Sequence, residues 1–422
     1  MKRNLYFIIV ATFFVNHGYT TIHHVPDDYQ TIMGGVYNSV HGDTVQVSSG
    51  TYYENIDFLG KNILLTSDFL FSNDFTIIDN TIINGGQIGS VVTFNSGENN
   101  NAQLIGFTLI NGLGENTGPD ATGGGVTIIN GSNPIIQFCR IRENFSIRGA
   151  GITIHSSNPI IKNCWIRNNE VTGNFEDNFG GGIFATFSEF TFQNLILSEN
   201  YSARSGGAIG LRLCDGTMDN ILIYGNNADH TAGGIDFSSS STSVTNATLT
   251  DNSAVNNGGA INSWYSDSNP YLSSTIIWDN GFGSINTGAG GVVQLDYSDI
   301  QQDWPGDQNI NADPQFLEPN FENYFLTEYS PCLNSGDPQN IVSDMGIYVD
   351  EDGFFCMGLI SGDLNDDSLI NIIDIIILAD CIIQLNCPSG NGCEFWHYNV
   401  NEDNDINVLD IMGLVISIIG EE

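Results

Sequence analysis

Six times between residues 126 and 261 the chain passes through a Gly/Ala-rich turn that closes on a branched aliphatic residue: Val126, Ile152, Ile183, Ile209, Ile235 and Ile261. The steps between them are 26, 31, 26, 26 and 26 residues, and the one long step contains an insertion around residues 174–179. An aliphatic-x-x-Asn element keeps the same beat at Ile141/Asn144, Ile166/Asn169, Leu197/Asn200, Ile223/Asn226, Leu249/Asn252 and Ile277/Asn280. A fixed period of about 20–50 residues argues against one compact core, because each repeat buries its apolar face only by stacking on its neighbours.

Within each repeat apolar residues alternate with period 2, the pattern of a strand with one buried face. Over 194–198, Leu195 and Leu197 fall on inward columns while Ile196 and Ser198 face out, and the strand runs outward to its Asn. The same register places Cys164/Ile166, Ile221/Ile223 and Ala247/Leu249 inside. A one-residue slip would turn every side chain to the other face, so agreement between repeats points to stacked rungs. Asn163, Asn194, Asn220 and Asn246 recur just before the buried pair. Asn tolerates left-handed backbone at a corner and can hydrogen-bond along a ladder of its own kind. Three short strands and three bends account for a 26-residue coil. The expected fold class is therefore all-β, a right-handed parallel β-helix solenoid, the other hand being rare for parallel crossovers. Residues 21–300 supply roughly ten such coils. The open end needs a cap, expected from a helix over Tyr29–Val40 with Ile32, Val36 and Val40 on one face. Thr44–Val47 and Asn62–Thr66 then begin the coils.

The chain carries 49 Asp plus Glu against 10 Lys plus Arg, a formal net charge of −39. Such a surface repels phosphate backbones and excludes a nucleic-acid partner. Residues 1–20 read as a cleavable secretory signal, with Lys2 and Arg3 before an apolar run Leu5–Val15 that is too short to span a bilayer. No later segment is long enough for a transmembrane anchor, so the expected location is extracellular, with attachment to a cell surface as one form of it. Cys139 and Cys164 share the inward column of Leu195, Ile221 and Ala247 and read as core fillers. The pairing of Cys332, Cys356, Cys381, Cys387 and Cys393 stays open, with one bridge expected among the last three.

Past residue 358 the pattern changes. Asp363, Asn365, Asp367, Asn371 and Asp374 occupy positions 1, 3, 5, 9 and 12 of a loop, and Leu369 at position 7 offers its backbone carbonyl. That is the ligand spacing of an EF-hand-like loop, suited to a hard cation that takes six or more oxygens. Thirty-six residues on, Asn399, Asn401, Asp403, Asp405 (carbonyl), Asn407 and Asp410 repeat it. An apolar stretch follows each loop, Ile375–Ile383 and Ile411–Ile419. Ca2+ is the expected cofactor, held by these two sets. The second loop begins with Asn399 instead of Asp and should bind more weakly.

Two resemblances follow from these residues. Val-Pro-Asp-Asp-Tyr-Gln-Thr-Ile at 25–32, Gly-Asp-Thr-Val-Gln-Val at 42–47 and Gly-Thr-Tyr-Tyr-Glu-Asn-Ile at 50–56 resemble the opening of pectin-lyase-fold proteins. The 206–209 and 258–261 turns resemble polymorphic outer-membrane-protein repeats, with Ile or Leu in place of that family's Phe before x-x-Asn. Asp313-Pro-Gln-Phe316 and 330–337 resemble the closing module of bacterial surface β-helix proteins. The paired loops resemble a type I dockerin, whose loops end in Asp. That resemblance implies a small α-helical calcium-binding domain docking on a cohesin-like scaffold protein. Its partner-facing pair at loop positions 10 and 11 falls on Ile372/Ile373 and Val408/Leu409, which are apolar in both copies. They either pack in the domain's own core or form an apolar patch, for a partner or for docking on the β-helix itself. The expected organisation is a signal at 1–20, a β-helix with helical cap at 21–300, a closing module and linker at 301–355 and a dockerin-like domain at 358–422.

The pectin-lyase fold hosts lyases, hydrolases and esterases of acidic polysaccharides, but a fold confers no chemistry. Seven of the basic residues lie between Arg140 and Arg212. Arg142 and Arg167 share an outward column with Trp165 beside them, a candidate stripe for a polysaccharide. Asp215, Asp219, Asp251 and Asp279 carry no catalytic family signature, and His155 reads as solvent-facing. The expected function is a secreted calcium-binding β-helix protein that binds carbohydrate or a cell surface and is tethered through its dockerin-like module. The alternative is a polysaccharide lyase or glycoside hydrolase on the same scaffold, and no catalytic residue is assigned.

Overall fold

The computed structural model of the protein describes residues 20–114, 123–173, 179–354, 364, 372–384, 387, 398, 400 and 406–419, apart from 73, 282, 341 and 350–353. One coil runs through Ile183–Thr186, Glu189–Ser198 and Tyr201–Ser202 before returning at Ile209–Arg212. Stacking turns these strands into three parallel walls. Wall A is a 17-stranded sheet that includes Glu189–Ser198, wall B a nine-stranded sheet that includes Ile183–Thr186, and wall C a five-stranded sheet that includes Tyr201–Ser202.

The sequence period is the coil itself. Val126, Ile152, Ile183, Ile209, Ile235 and Ile261 are successive register partners in wall B. In wall A, Cys164 pairs on through Leu195 and Ile221 to Ala247, and Ile166 through Leu197 and Ile223 to Leu249. All of these side chains are buried, as is Cys139, inside one continuous apolar core.

Corners are made by single residues in the left-handed region. Asn163, Asn194, Asn220 and Asn246 have φ between 49° and 56°, and Ser156, Phe187, Leu213 and Ser239 form a second such column. The expected side-chain ladder joins Asn163, Asn194 and Asn220, with Nδ2–Oδ1 distances of 2.8 and 2.9 Å. Asn246 leaves it, its amide donating to the Asp344 carbonyl instead. A longer ladder lies elsewhere. Asn144, Asn169, Asn200, Asn226 and Asn252 each hand Nδ2 to the Oδ1 of the next, the last being Asn280, at 2.9–3.0 Å. These Asn residues point inward and Asn144 to Asn252 are buried, so the strand does not run outward to its Asn as the sequence suggested. Each satisfies backbone groups at the corner between walls A and C, which would otherwise be stranded away from water.

At the amino end the helix is shorter than expected, Ile32–Asn38, capped by Thr31. Ile32 and Val36 are buried, but Val40 lies beyond the helix and is 64% exposed. Gly35 lets the helix sit on the first coil, since a Cβ there would come within 2.8 Å of Val45 Cγ1. The stack begins before this helix, with Ile22–Val25 paired to Thr44–Val47.

Ile196 and Ser198 face outward as expected, yet both are buried. The cause is a strap, formed by the chain from Phe316 onward, that folds back over the outer face of wall A. Tyr324, Phe325, Ile347 and Phe354 pack on Ile196, Leu222 and Tyr224. Polar bonds pin the strap coil by coil: Gly346 N to Ser274 O at 2.7 Å, Ile347 N to Thr248 Oγ1 at 3.2 Å and Tyr348 N to Asn220 Oδ1 at 3.0 Å.

In the last segment two helices are described, Ile372–Gln384 and Val408–Ile419. They meet through Leu378, Cys381 and Leu414, with Ile375 and Ile411 alongside. Cys381 is bonded to Cys387. Cys139, Cys164, Cys214 and Cys332 are buried free thiols, and Cys356 and Cys393 lie outside the described residues, as does the expected signal up to residue 19.

Candidate functional site

Wall A brings the expected stripe together. Arg142 pairs in register with Arg167, and Arg140 with Trp165. The Trp165 ring already has partners: the Arg167 guanidinium lies 4.7 Å and that of Arg140 5.7 Å from its centroid. Its indole N–H donates to Ser198 Oγ at 3.1 Å, and the ring packs against the edge of the strap. Arg140 is paired with Asp79 at 2.7 Å and Arg142 with its neighbour Glu143. Burial lowers the Arg140 pKa from its ordinary value, opposed by Asp79. Stacked cations of this kind contribute about 0.5–2 kcal/mol of local order. Arg142, Trp165 and Arg167 thus form a braced patch beside the strap.

Most other carboxylates singled out in the sequence have structural partners. Asp219 accepts from Thr245 and Tyr348, Asp251 from Tyr324, and Asp279 from Gln301. His155 sits edge-on to Phe187 with its Nδ1 buried and lacking a protein partner.

A groove lined by acidic, basic and aromatic side chains lies on wall B, where no site was expected. It is a cleft of about 190 Å³ whose lining includes Arg204, His230, Asp236, Ser238, Trp264 and Tyr265. Gly210, Asp236 and Asn262 are register partners, as are Ser238 and Trp264, so the 26-residue step stacks the floor and one side. Trp264 packs over its own partner Gly288, where any Cβ would collide with the ring. On the other side Arg204 lies 5.9 Å from the centroid of Phe179.

Asp236 is 1% exposed. Its Oδ1 accepts from Asn262 Nδ2 at 2.5 Å and its Oδ2 from Ser238 Oγ at 2.9 Å, while Asn286 holds Asn262 in turn. Burial pushes the carboxyl up to about 6, against the pull of those two bonds and of Arg204. An acid raised in the folded state contributes stability that is full below the unfolded value near 3.8 and is lost as pH rises through about 6. Between pH 4 and 7 the wild type should therefore lose about 2 kcal/mol that Asp236→Asn does not, measured as the difference between their denaturation profiles. Asp299, also raised to about 6 by burial, titrates in both proteins and cancels in that difference.

In the helical segment, Asp374 and Asp410 are fully buried in the first turns of equivalent helices. Asp374 accepts from Leu364 N–H at 2.8 Å and Asp410 from Asn407 N–H at 2.7 Å. No Lys or Arg follows Arg212 in the chain. Both carboxylates accept from a backbone N–H and stand at the start of their helices, where the helix N-terminus also favours negative charge. Of the two expected ligand sets, Asp374, Asn407 and Asp410 lie among the described residues. Asp363, Asn365, Asp367, Leu369, Asn371, Asn399, Asn401, Asp403 and Asp405 lie outside the described residues.

Ile372, Ile373 and Ile376 on one helix and Val408, Leu409 and Met412 on the other are 48–68% exposed. Of the two readings open in the sequence, packing in the core fails for these residues. Among the described residues no helix is long and apolar enough to cross a membrane.

No curated protein matches the chain. Residues 115–296 match the family model described as the right handed beta helix region, so the parallel walls built from the 26-residue repeat are those of a right-handed parallel β-helix.

Proposed function

We propose that this is a secreted, calcium-binding β-helix protein that binds carbohydrate on its solenoid wall and is tethered to a cohesin-like scaffold through a dockerin-like module. In this reading residues 1–20 are the signal, 21–300 the β-helix, 301–355 its closing module and 358–422 the tether. The observation that carries it is the duplicated exposed strip, Ile372/Ile373/Ile376 and Val408/Leu409/Met412, set beside the buried Asp374 and Asp410. Exposed apolar patches of this kind mark interaction surfaces, and the same patch on both helices matches a duplicated docking module. The β-helix class, shared by many carbohydrate-active proteins, and the aromatic, polar cleft on wall B support the carbohydrate part.

Ile372→Asp with Val408→Asp should lower capture of the full chain by a cohesin panel about 100-fold or more, since each places a charge in an apolar contact. Calcium binding should be unchanged. Capture equal to wild type would remove the tethering reading.

One observation favours a glycoside hydrolase as second reading: Asp236, raised to about 6, holds its proton in the range where a general acid works. Hydrolysis commonly uses two carboxylates, and Asp236 is the one acidic residue among those described as lining the cleft. Reducing sugar released from neutral or acidic polysaccharides by wild type and not by Asp236→Asn would establish it.

A further inference from the structure

We infer that the wall-B cleft is a binding site for a single neutral sugar ring, an inference that rests on the carbohydrate part of the proposed function and gives it a place and a ligand class. Size sets the first limit. About 190 Å³ is room for about six waters at ~30 Å³ each, which seats one small ring.

Chemistry sets the second. Asn262 and Ser238 each donate to a different oxygen of Asp236, which is 1% exposed, so the floor acid fixes the polar groups that line the cleft. The hydroxyls of Ser205, Thr231 and Ser238 line the same cleft and can exchange hydrogen bonds with the hydroxyls of one ring. The Arg204 guanidinium at the rim can donate in return to hydroxyl oxygens, and His230 lies beside it. Trp264 and Tyr265, 40% and 52% exposed, supply aromatic surface for the apolar C–H face of the ring. The floor is rigid before any ligand arrives, because Asn286, Asn262 and Asp236 are bonded in series.

The same features disfavour other ligands. A uronate brings its carboxylate toward a floor acid on a chain of net charge −39. A cationic ligand meets Arg204 at the rim. A metal ion has no support, since no group of three or more ligating His, Cys, Asp or Glu residues occurs among the described residues.

The test is titration of the full chain with glucose, galactose, mannose, N-acetylglucosamine and galacturonic acid, followed by tryptophan fluorescence and calorimetry. At least one neutral sugar should bind. Asp236→Asn and Trp264→Ala should each weaken it about tenfold or more, Glu189→Gln at an exposed position on wall A should leave it unchanged, and galacturonic acid should bind about tenfold more weakly than the best neutral sugar. Tyr265→Ala, with an exposed ring, is the second variant should Asp236→Asn lose its fold. Neutral-sugar binding untouched by the cleft variants, or a preference for galacturonic acid, overturns the inference while leaving carbohydrate binding in place. Binding to polysaccharides but to no single sugar has the same consequence. Binding to neither overturns both.

Discussion

Asn200→Ala is expected to destabilise the β-helix by about 3–6 kcal/mol, far more than the loss of one average hydrogen bond. Asn200 sits in the middle of the inward ladder and is 1% exposed. Its Oδ1 accepts from both the backbone N–H and the Nδ2 of Asn169, and its own Nδ2 donates to Ile166 O at 2.8 Å. Truncation strands those groups in the core, and each unsatisfied buried group costs about 1–3 kcal/mol. The ladder's last member, Asn280, is only partly buried, so Asn280→Ala should cost about 1 kcal/mol, water replacing what is lost. Since solenoid coils are coupled mainly to their neighbours, hydrogen exchange should show lost protection concentrated at Asn169 and the coils on either side. A cost below about 1 kcal/mol for Asn200→Ala would mean that the ladder follows the fold and does not help to hold it.

The second large effect is expected in the helical segment. Chelating calcium from the full chain should destabilise it by about 4 kcal/mol when the cation had been present at about 1,000 times its dissociation constant. The physical reason is the duplicated oxygen-ligand spacing, whose last positions, Asp374 and Asp410, are fully buried at the starts of the two helices. Only three side chains, Leu378, Cys381 and Leu414, form the buried centre of that segment among the described residues. The expected readout is loss of helical circular dichroism on adding chelator and its return on adding calcium, with the β signal unchanged. Asp374→Ala together with Asp410→Ala should give the chelated behaviour in the presence of calcium.

What was legible in the sequence is what obeys a strict column. Leu195 and Leu197 could be placed because a strand turns every second side chain inward and the 26-residue step repeats the choice. The corner Asn residues were legible for the same reason. The inward ladder was visible as a period but its direction was not, because an Asn at a strand end reads as polar and therefore outward. Only the left-handed residues before it, such as Glu143, Asn168 and Glu199, turn it into the core. The strap was hidden because Tyr324, Ile347 and Phe354 follow no period. Ile196, Leu222 and Tyr224, apolar residues in outward columns, were the available sign that something covers wall A.

The cleft was missed for a different reason. Its floor stands in an outward column of wall B, whose members Thr127, Thr153, Phe184, Gly210, Asp236 and Asn262 differ in chemistry from coil to coil. Arg204 and His230 are also 26 residues apart, on the turns that overhang this floor. A search by column for an acid among neutral neighbours would have found Asp236. The Arg142/Trp165/Arg167 stripe was correctly aligned, but sequence spacing does not reveal that Trp165 is already stacked between cations at the strap's edge.

A calorimetric titration of the full chain with calcium bears most directly on the proposal that a cation holds the docking module together. Two calcium ions per chain are expected, the loop beginning at Asp363 binding more tightly than the one beginning at Asn399, with one site lost in Asp374→Ala and both in the double variant with Asp410→Ala. No calcium uptake by the wild type, or uptake that survives both substitutions, would contradict the account.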